Sequence, residues 1–288
     1  METTATSGVS EIAKEASKGN NSLVAGSPIA SVYSIYMSNI DPLVIDYQER
    51  IVRKFIPYGW VFEQVNTELR RYAHADQMSD LIQRSISDVI VFLDIDCIPL
   101  DSRAFPFLYS YANEGTLVGA AQRANHIPNG AHIYAGPFCM AFSRKVYQEL
   151  GSPVLREAML DKPYRPISGE RGDVCEELTY VWEQNKRKIQ LLRPTQVEKP
   201  LWNLEPARER FGHGTTYDDL FYHAFESRIG PDHQNRFIRK CRQVLGESAD
   251  LPSLRVNPIL VKVSQSLPKP AYGKDGLTLN WFDRYRKP

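Results

Sequence analysis

The sequence predicts an α/β protein, in which one mixed β-sheet is sandwiched between helices and a helical extension follows at the C-terminal end. Three observations indicate this architecture. Strand-like segments alternate with amphipathic helical segments before residue 94. Residues 89–93 are continuously apolar, as in a strand that is covered on both faces. Two helix-like segments, 217–228 and 235–245, follow near the C-terminal end. Strands that alternate with helices form a sheet with right-handed crossovers.

The elements can be assigned in order along the chain. Alternating side chains predict a first strand over 31–37. Asp41 and Pro42 are the residue types preferred at the cap and at the first position of a helix, and apolar residues then recur every three or four positions. The next predicted elements are a strand (60–65), a helix (76–86), the apolar strand (89–93), a helix (101–113), two strands (117–121 and 133–142), a short helix capped by Ser143 and a helix (173–185). We therefore expect a flexible leader (1–28), one α/β domain (29–230), and a C-terminal helix with a wrapping tail (231–288).

The composition excludes several classes of function. The chain has 288 residues, of which 35 are Lys or Arg and 34 are Asp or Glu, so its net charge is +1. A nearly balanced charge excludes nucleic-acid binding through bulk charge. No apolar run approaches the ~18 residues that span a membrane. The four cysteines form no CxxC motif, so we expect reduced thiols and a cytoplasmic protein. The basic helix over 235–245 would either rest on a membrane surface or pack on the domain with a solvated basic face.

Two carboxylates follow directly after the apolar strand. Asp94 and Asp96 are separated by one residue, which puts both side chains on one face of an extended chain. Open α/β sheets bind ligands at the carboxyl ends of their strands. Adjacent carboxylates repel each other, and a hard divalent cation such as Mg²⁺ or Mn²⁺ relieves that repulsion and bridges to phosphate groups. The alternative is that both residues only cap the next turn.

Three segments carry a resemblance to glycosyltransferases of the GT-A fold, which use nucleotide sugars. They are the DxD motif at 94–96, the segment YAGPFCMAFSR (134–144), and the acidic helix start GDVCEEL (172–178). The resemblance covers residues 30–225 and implies that the domain over 29–230 is a GT-A-like catalytic domain. It implies metal-dependent transfer of a sugar from a UDP- or GDP-sugar to the hydroxyl of a glycan or another acceptor, lipid-linked acceptors included.

The resemblance also implies roles for individual residues. Asp96 would ligate the metal, and Asp94 would contact the metal or the ribose. His213 lies between two glycines and resembles the late histidine that serves as a third metal ligand in many GT-A enzymes, although a loop histidine beside turn glycines is the alternative.

An acidic residue would take the proton from the acceptor hydroxyl if the enzyme inverts the anomeric configuration. The candidates are Asp173, Glu176 and Glu177, of which Asp173 is preferred and Glu177 comes second. Asp173 and Glu176 also have the spacing of a capping box, so both would equally satisfy backbone amides at the start of the helix.

Five further residues are candidates for binding the nucleotide sugar. Tyr36 and Ser38 lie at the end of the first strand, where a tyrosine would stack on a base or belong to the core. Asp76 resembles a ribose contact but is equally an N-cap residue. Arg123 would meet phosphate oxygens or simply lie on the surface. Gly136 belongs to the segment 134–144 and is expected to border the donor.

Two rival functions use the same residues. A phosphohydrolase of the haloacid-dehalogenase type would use Asp94 as its nucleophile. In that family, however, the motif normally opens the chain and is followed by a different turn. The other rival is a non-catalytic binding protein with a GT-A-like fold.

Overall fold

A computed structural model describes residues 29–37, 39–67, 74–123, 133–156, 173–205, 209–225, 227 and 230–248. In these ranges the strands, in chain order, are β1 (Ala30–Tyr36), β2 (Val61–Asn66), β3 (Val89–Asp94), β4 (Cys97–Pro99), β5 (Leu117–Arg123), β6 (Ile133–Ser143), β7 (Ile189–Leu192), β8 (Pro194–Glu205), β9 (Glu209–Tyr217) and β10 (Phe221–His223). The helices are α1 (Pro42–Phe55), α2 (His74–Arg84), α3 (Ala104–Asn113), α4 (Arg144–Glu149), α5 (Glu176–Gln184) and α6 (Pro231–Leu245).

The larger sheet is mixed, as the sequence predicts. Its six strands lie in the order β2-β1-β3-β6-β5-β7. The strands β1, β2 and β3 are parallel, whereas β6 runs antiparallel to both β3 and β5. The parallel pairing of β1 with β3 places Ile35 opposite Asp94, so both strands end at the same edge of the sheet.

Helices cover both faces of this sheet. Apolar residues of α2, α4 and α5 pack on one face, where Met78, Tyr147 and Trp182 are buried. On the other face, α1 and α3 pack together with part of the second sheet, and Phe105 and Phe221 are buried there. The predicted sandwich of helices around a mixed sheet is therefore confirmed. Within the described ranges, no helix is long and apolar enough to cross a membrane.

A second, antiparallel sheet replaces one of the predicted helices. Its four strands lie in the order β4-β10-β9-β8. The helix predicted over 217–228 is wrong, because the chain reverses at Asp218 and Asp219, which both have positive φ. The reversal pairs Phe221 with Tyr217 and starts β10. All three residues of β10 are buried, and such burial on both sides of the chain fits a covered strand rather than one face of an amphipathic helix.

The C-terminal extension is helical, as predicted, and begins earlier than the predicted residue 235. Pro231 occupies the first turn of α6, a position where its missing N–H costs nothing. The side chains of Phe237, Ile238 and Cys241 are buried in a cluster that also contains residues of α1. Helix α6 therefore packs on the domain through its apolar face, which is the second of the two alternatives for this basic helix.

Candidate metal centre

The turn after β3 connects the two sheets. Asp94 is the last residue of β3, and three residues later Cys97 begins β4, which pairs with β10 of the second sheet. The register of that pairing places His223 opposite Cys97. Because Asp96 precedes Cys97, this register brings the His223 side chain to the two carboxylates.

Asp94, Asp96 and His223 form a compact group. The Nε2 atom of His223 lies 3.1 Å from Oδ1 of Asp96 and 4.0 Å from Oδ2 of Asp94. All three candidate ligand atoms lie within 4.8 Å of one another, and no other group of three or more such residues occurs in the described ranges. His223 and Asp96 are buried, whereas the Asp94 side chain is one-third exposed. Two members of the group are therefore buried, and the third, the carboxylate of Asp94, is partly open to solvent.

The surroundings of Asp96 favour its ionised form. Burial raises the pKa of this carboxyl, but the adjacent His223 imidazole and the hydrogen bonds from Ser227 outweigh burial, and the pKa lies below its usual value. The backbone N–H of Ser227 donates to Oδ2 of Asp96 at 3.3 Å. The imidazole of His223 is stacked on Phe138, with ring centroids 4.2 Å apart. An ionised carboxylate and a ring held in place by packing are what a metal site needs.

The donor set fits a divalent cation. Two carboxylate oxygens and one imidazole nitrogen suit Mn²⁺, and the carboxylates alone suit Mg²⁺. A second imidazole lies near the other carboxylate oxygen of Asp94, where Nε2 of His74 is 4.0 Å from Oδ1. In the sequence His74 has no signal beyond its position two residues before Asp76, and His223 falls in the segment 217–228 that was predicted to be a helix.

His213 lies outside this group. Its ring centroid is 4.4 Å from that of His233 and 5.5 Å from that of Trp202. Burial, together with the nearby His233, Arg236 and Lys199, lowers the pKa of His213 to about 4. The imidazole that the structure brings to the two carboxylates is that of His223, ten residues later in the chain.

The three acidic residues near α5 have different surroundings. The backbone N–H of Asp173 donates to Oε2 of Glu176 at 2.7 Å, which is one half of the predicted capping box. Glu176 is buried in this role, and Glu177 lies in the first turn of α5. Burial raises the pKa of the Cys175 thiol, and the negative charges of Asp94 and Asp173 raise it further. Cys175 thus lies within electrostatic range of both Asp94 and Asp173.

The predicted nucleotide contacts are dispersed. Tyr36 ends β1 at the sheet edge that carries Asp94. Asp76 forms an ion pair with both Nε and Nη2 of Arg156. Arg123 lies at the end of β5, where its Nη1 atom is 3.5 Å from the carbonyl oxygen of Asn203. Ser38 lies outside the described residues.

Gly136 has a packing reason to be glycine. A Cβ at this position would lie 2.6 Å from the ring of Phe138 and 2.7 Å from Oε1 of Gln122. The Phe138 ring is also the one on which His223 stacks. Gly136 therefore leaves room for the Phe138 ring, on which the imidazole of the Asp94–Asp96–His223 group is stacked.

Comparisons with known proteins give no family. No known family matches the chain, and no curated protein sequence does. Among solved structures, A197 from STIV is 12% identical with a TM-score of 0.31, and the match covers 68% of this chain and 93% of that one. The glycosyltransferase GlyE of Streptococcus pneumoniae is also 12% identical with a TM-score of 0.31, over 58% of this chain and 45% of that one.

The bifunctional IspDF of Campylobacter jejuni is 11% identical with a TM-score of 0.33, over 57% of this chain and 49% of that one. The chain spans about half the length of GlyE and IspDF and nearly all of A197. At these TM-scores the similarities are distant and assign no function. The structure thus defines the class only as an α/β protein with a mixed six-stranded sheet, a second antiparallel sheet and an acidic group that could hold a metal.

Proposed function

We propose that this protein is a metal-dependent glycosyltransferase of the GT-A type, which moves a sugar from a UDP- or GDP-sugar to an acceptor hydroxyl. One observation carries the proposal. Asp94, Asp96 and His223 converge at the carboxyl end of β3, which is the place where open α/β sheets bind ligands. The acceptor would be a glycan or another hydroxyl compound, lipid-linked acceptors included.

The three side chains would hold Mn²⁺ or Mg²⁺. When bound there, the cation would neutralise the charge that develops on the leaving nucleoside diphosphate. The exposed side of Asp94 would face the donor, since Asp96 and His223 are buried behind it. Tyr36 ends the neighbouring strand at the same edge and is the candidate to stack on the base. Arg123 and Gly136 remain candidates for the rest of the donor, together with Ser38 and Asp76.

Asp173 is the proposed general base. Its carboxylate would accept the proton of the attacking hydroxyl, which leads to inversion at the anomeric carbon. Two facts support Asp173 over its neighbours. The Glu176 carboxylate already accepts a hydrogen bond from the backbone N–H of Asp173. The negative charges of Asp173 and Asp94 both raise the pKa of the Cys175 thiol, so both carboxylates lie near that thiol. Glu177 is the second candidate, because it lies in the first turn of the same helix.

Ligand-dependent thermal stability tests the proposal. The unfolding temperature of the protein is measured with EDTA, with Mn²⁺, and with Mn²⁺ plus UDP or GDP. A ligand present at one hundred times its dissociation constant stabilises a protein by about 2.7 kcal/mol. We expect such stabilisation with Mn²⁺ and one of the two nucleotides together, and none with nucleotide in EDTA.

Transfer assays separate this function from its rivals. Release of UDP or GDP from a panel of nucleotide sugars, dependent on acceptor and metal, is the expected result. Phosphate release from a generic phosphate ester that is lost in Asp94→Asn would instead indicate a phosphohydrolase. Nucleotide binding with no transfer across the panel would indicate a non-catalytic protein.

A further inference from the structure

A glutamine of α1 reaches the backbone of the metal-binding turn. The side chain of Gln48 is fully buried. Its Nε2 atom donates to the carbonyl oxygen of Asp94 at 2.7 Å and to that of Cys97 at 3.1 Å. These two carbonyls bracket Ile95 and Asp96, so one amide group holds both ends of the turn.

A second glutamine sets the orientation of the first. The Nε2 atom of Gln64, on β2, donates to Oε1 of Gln48 at 2.9 Å and to the carbonyl oxygen of Ile45 at 3.0 Å. Because Oε1 of Gln48 accepts a hydrogen bond from Gln64, the Nε2 atom of Gln48 faces the turn. The hydrogen bonds therefore fix the amide orientation. Both N–H groups of each amide have an acceptor, as burial of an amide requires.

Gln48 interrupts an otherwise aliphatic and aromatic buried face of α1. Its neighbours on the buried face of α1 are Val44, Tyr47, Ile51 and Val52. A methionine there would leave the carbonyls of Asp94 and Cys97 and one N–H of Gln64 without these partners. The amide therefore has a specific role, and the two carbonyls at the turn identify that role.

We propose that Gln48 is a positioning residue for the metal group, acting through the backbone of Asp94 and Cys97. This inference rests on the proposed function. The direction of each carboxylate depends on the backbone that carries it, and the turn is held on both sides. Gln48 bonds the carbonyls of residues 94 and 97, while the N–H of Ala224 donates to the carbonyl of Asp96 at 2.9 Å. Without Gln48 the turn loses its attachment to α1.

The test compares Mn²⁺ affinity between the unmodified chain and Gln48→Met, by titration with detection of free Mn²⁺ by electron paramagnetic resonance. Methionine keeps the length and helix preference of glutamine but has no N–H donors. We expect a loss of about tenfold in Mn²⁺ affinity, at the lower end of what the loss of a supporting hydrogen bond costs a metal site. Gln64→Met is expected to produce a smaller loss in the same direction, and it carries the test if Gln48→Met does not fold.

Ser31→Ala is the matched control. Ser31 is buried, and its Oγ atom lies 2.7 Å from that of Ser87 near the beginning of β1, at the opposite end of the strand from the turn. This variant loses a buried hydrogen bond, so it is expected to lower the unfolding temperature in EDTA and to leave Mn²⁺ affinity unchanged.

The outcomes separate the two proposals. A folded Gln48→Met that binds Mn²⁺ as the unmodified chain does would overturn the positioning role and leave the proposed function standing. The same follows if Ser31→Ala weakens Mn²⁺ binding as much as Gln48→Met does, because the effect is then one of general stability. Absence of Mn²⁺ binding by the unmodified chain would overturn the proposed function and the positioning role with it.

Discussion

Two histidines on neighbouring strands of the second sheet have opposite electrostatic surroundings. His223 on β10 lies beside the carboxylates of Asp96 and Asp94. His213 on β9 lies beside His233 and near the positive groups of Arg236 and Lys199. A cation at the first position would meet negative charge, whereas a cation at the second would meet positive charge.

The register between the two strands produces this difference. His223 is paired with Thr215, and His213 lies two residues further along β9. At about 3.3 Å per residue, this displacement is roughly 7 Å, which is more than the reach of a metal–ligand bond. Flanking glycines and residue type made His213 a reasonable candidate, but the pairing of strands decides which imidazole meets the carboxylates.

Removing the negative charge of Asp96 is expected to have the largest effect, because that charge distinguishes the surroundings of His223 from those of His213. Asp96→Asn keeps the shape of the side chain and removes an ionised ligand, so we expect Mn²⁺-dependent stabilisation and any transfer activity to be lost. The measurement is the unfolding temperature with and without Mn²⁺ plus UDP or GDP, together with the transfer assay. Asp101→Asn is the control, since that carboxylate is exposed and bonds Arg103. A normal Mn²⁺ response in Asp96→Asn would contradict the metal assignment.

Local sequence signals predicted five of the six strands of the first sheet and the helices that cover it, but not β7. The carboxylate of Asp41 accepts from the N–H of Leu43 at 2.8 Å, and Ser143 caps α4 in the same way at 3.4 Å, as their residue types predict. The apolar run before Asp94 is the buried strand β3. These features depend on neighbours a few residues away, and the sequence contains that information directly.

The second sheet and the position of His223 beside Asp94 and Asp96 depend on distant pairings. Asp96 and His223 are 127 residues apart in the chain, and they meet because β4 pairs with β10. β10 is only three residues long, so its apolar pattern is too short to distinguish a strand from a helix. The support that Gln48 gives to the turn was equally hidden, because a single glutamine on a helix face has no signal of its own.

The two histidines themselves provide the second test, with a smaller expected effect. We expect His223→Ala to weaken Mn²⁺ binding by about ten- to one hundredfold, since one ligand is lost and two carboxylates remain. His213→Ala is expected to leave Mn²⁺ affinity unchanged, because its ring lies against His233 and Trp202. Both variants are titrated with Mn²⁺ in the same buffer. The reverse pattern would return the role of third ligand to His213.

The pH dependence of stability gives the smallest expected effect and tests the region around His213. Burial lowers its pKa in the folded protein to about 4, compared with about 6.5 in the unfolded chain. Between these values the unfolded chain binds more protons, so the contribution of His213 to stability is fully present above pH 6.5 and is lost as the pH falls towards 4. We expect a loss of about 1 to 2 kcal/mol, which is less than the pKa shift alone implies because solvent screens a partly exposed ring.

The measurement is the free energy of unfolding from denaturant titrations between pH 4 and pH 7, for the unmodified chain and for His213→Gln. Glutamine does not titrate, so the difference between the two proteins isolates His213 from all other acids and bases that respond in this range. We expect this difference to shrink steadily as the pH falls. If the difference stays constant from pH 7 to pH 4, His213 has the same pKa in the folded and the unfolded protein. Its surroundings would then not disfavour a positive charge, which would contradict the contrast drawn with His223.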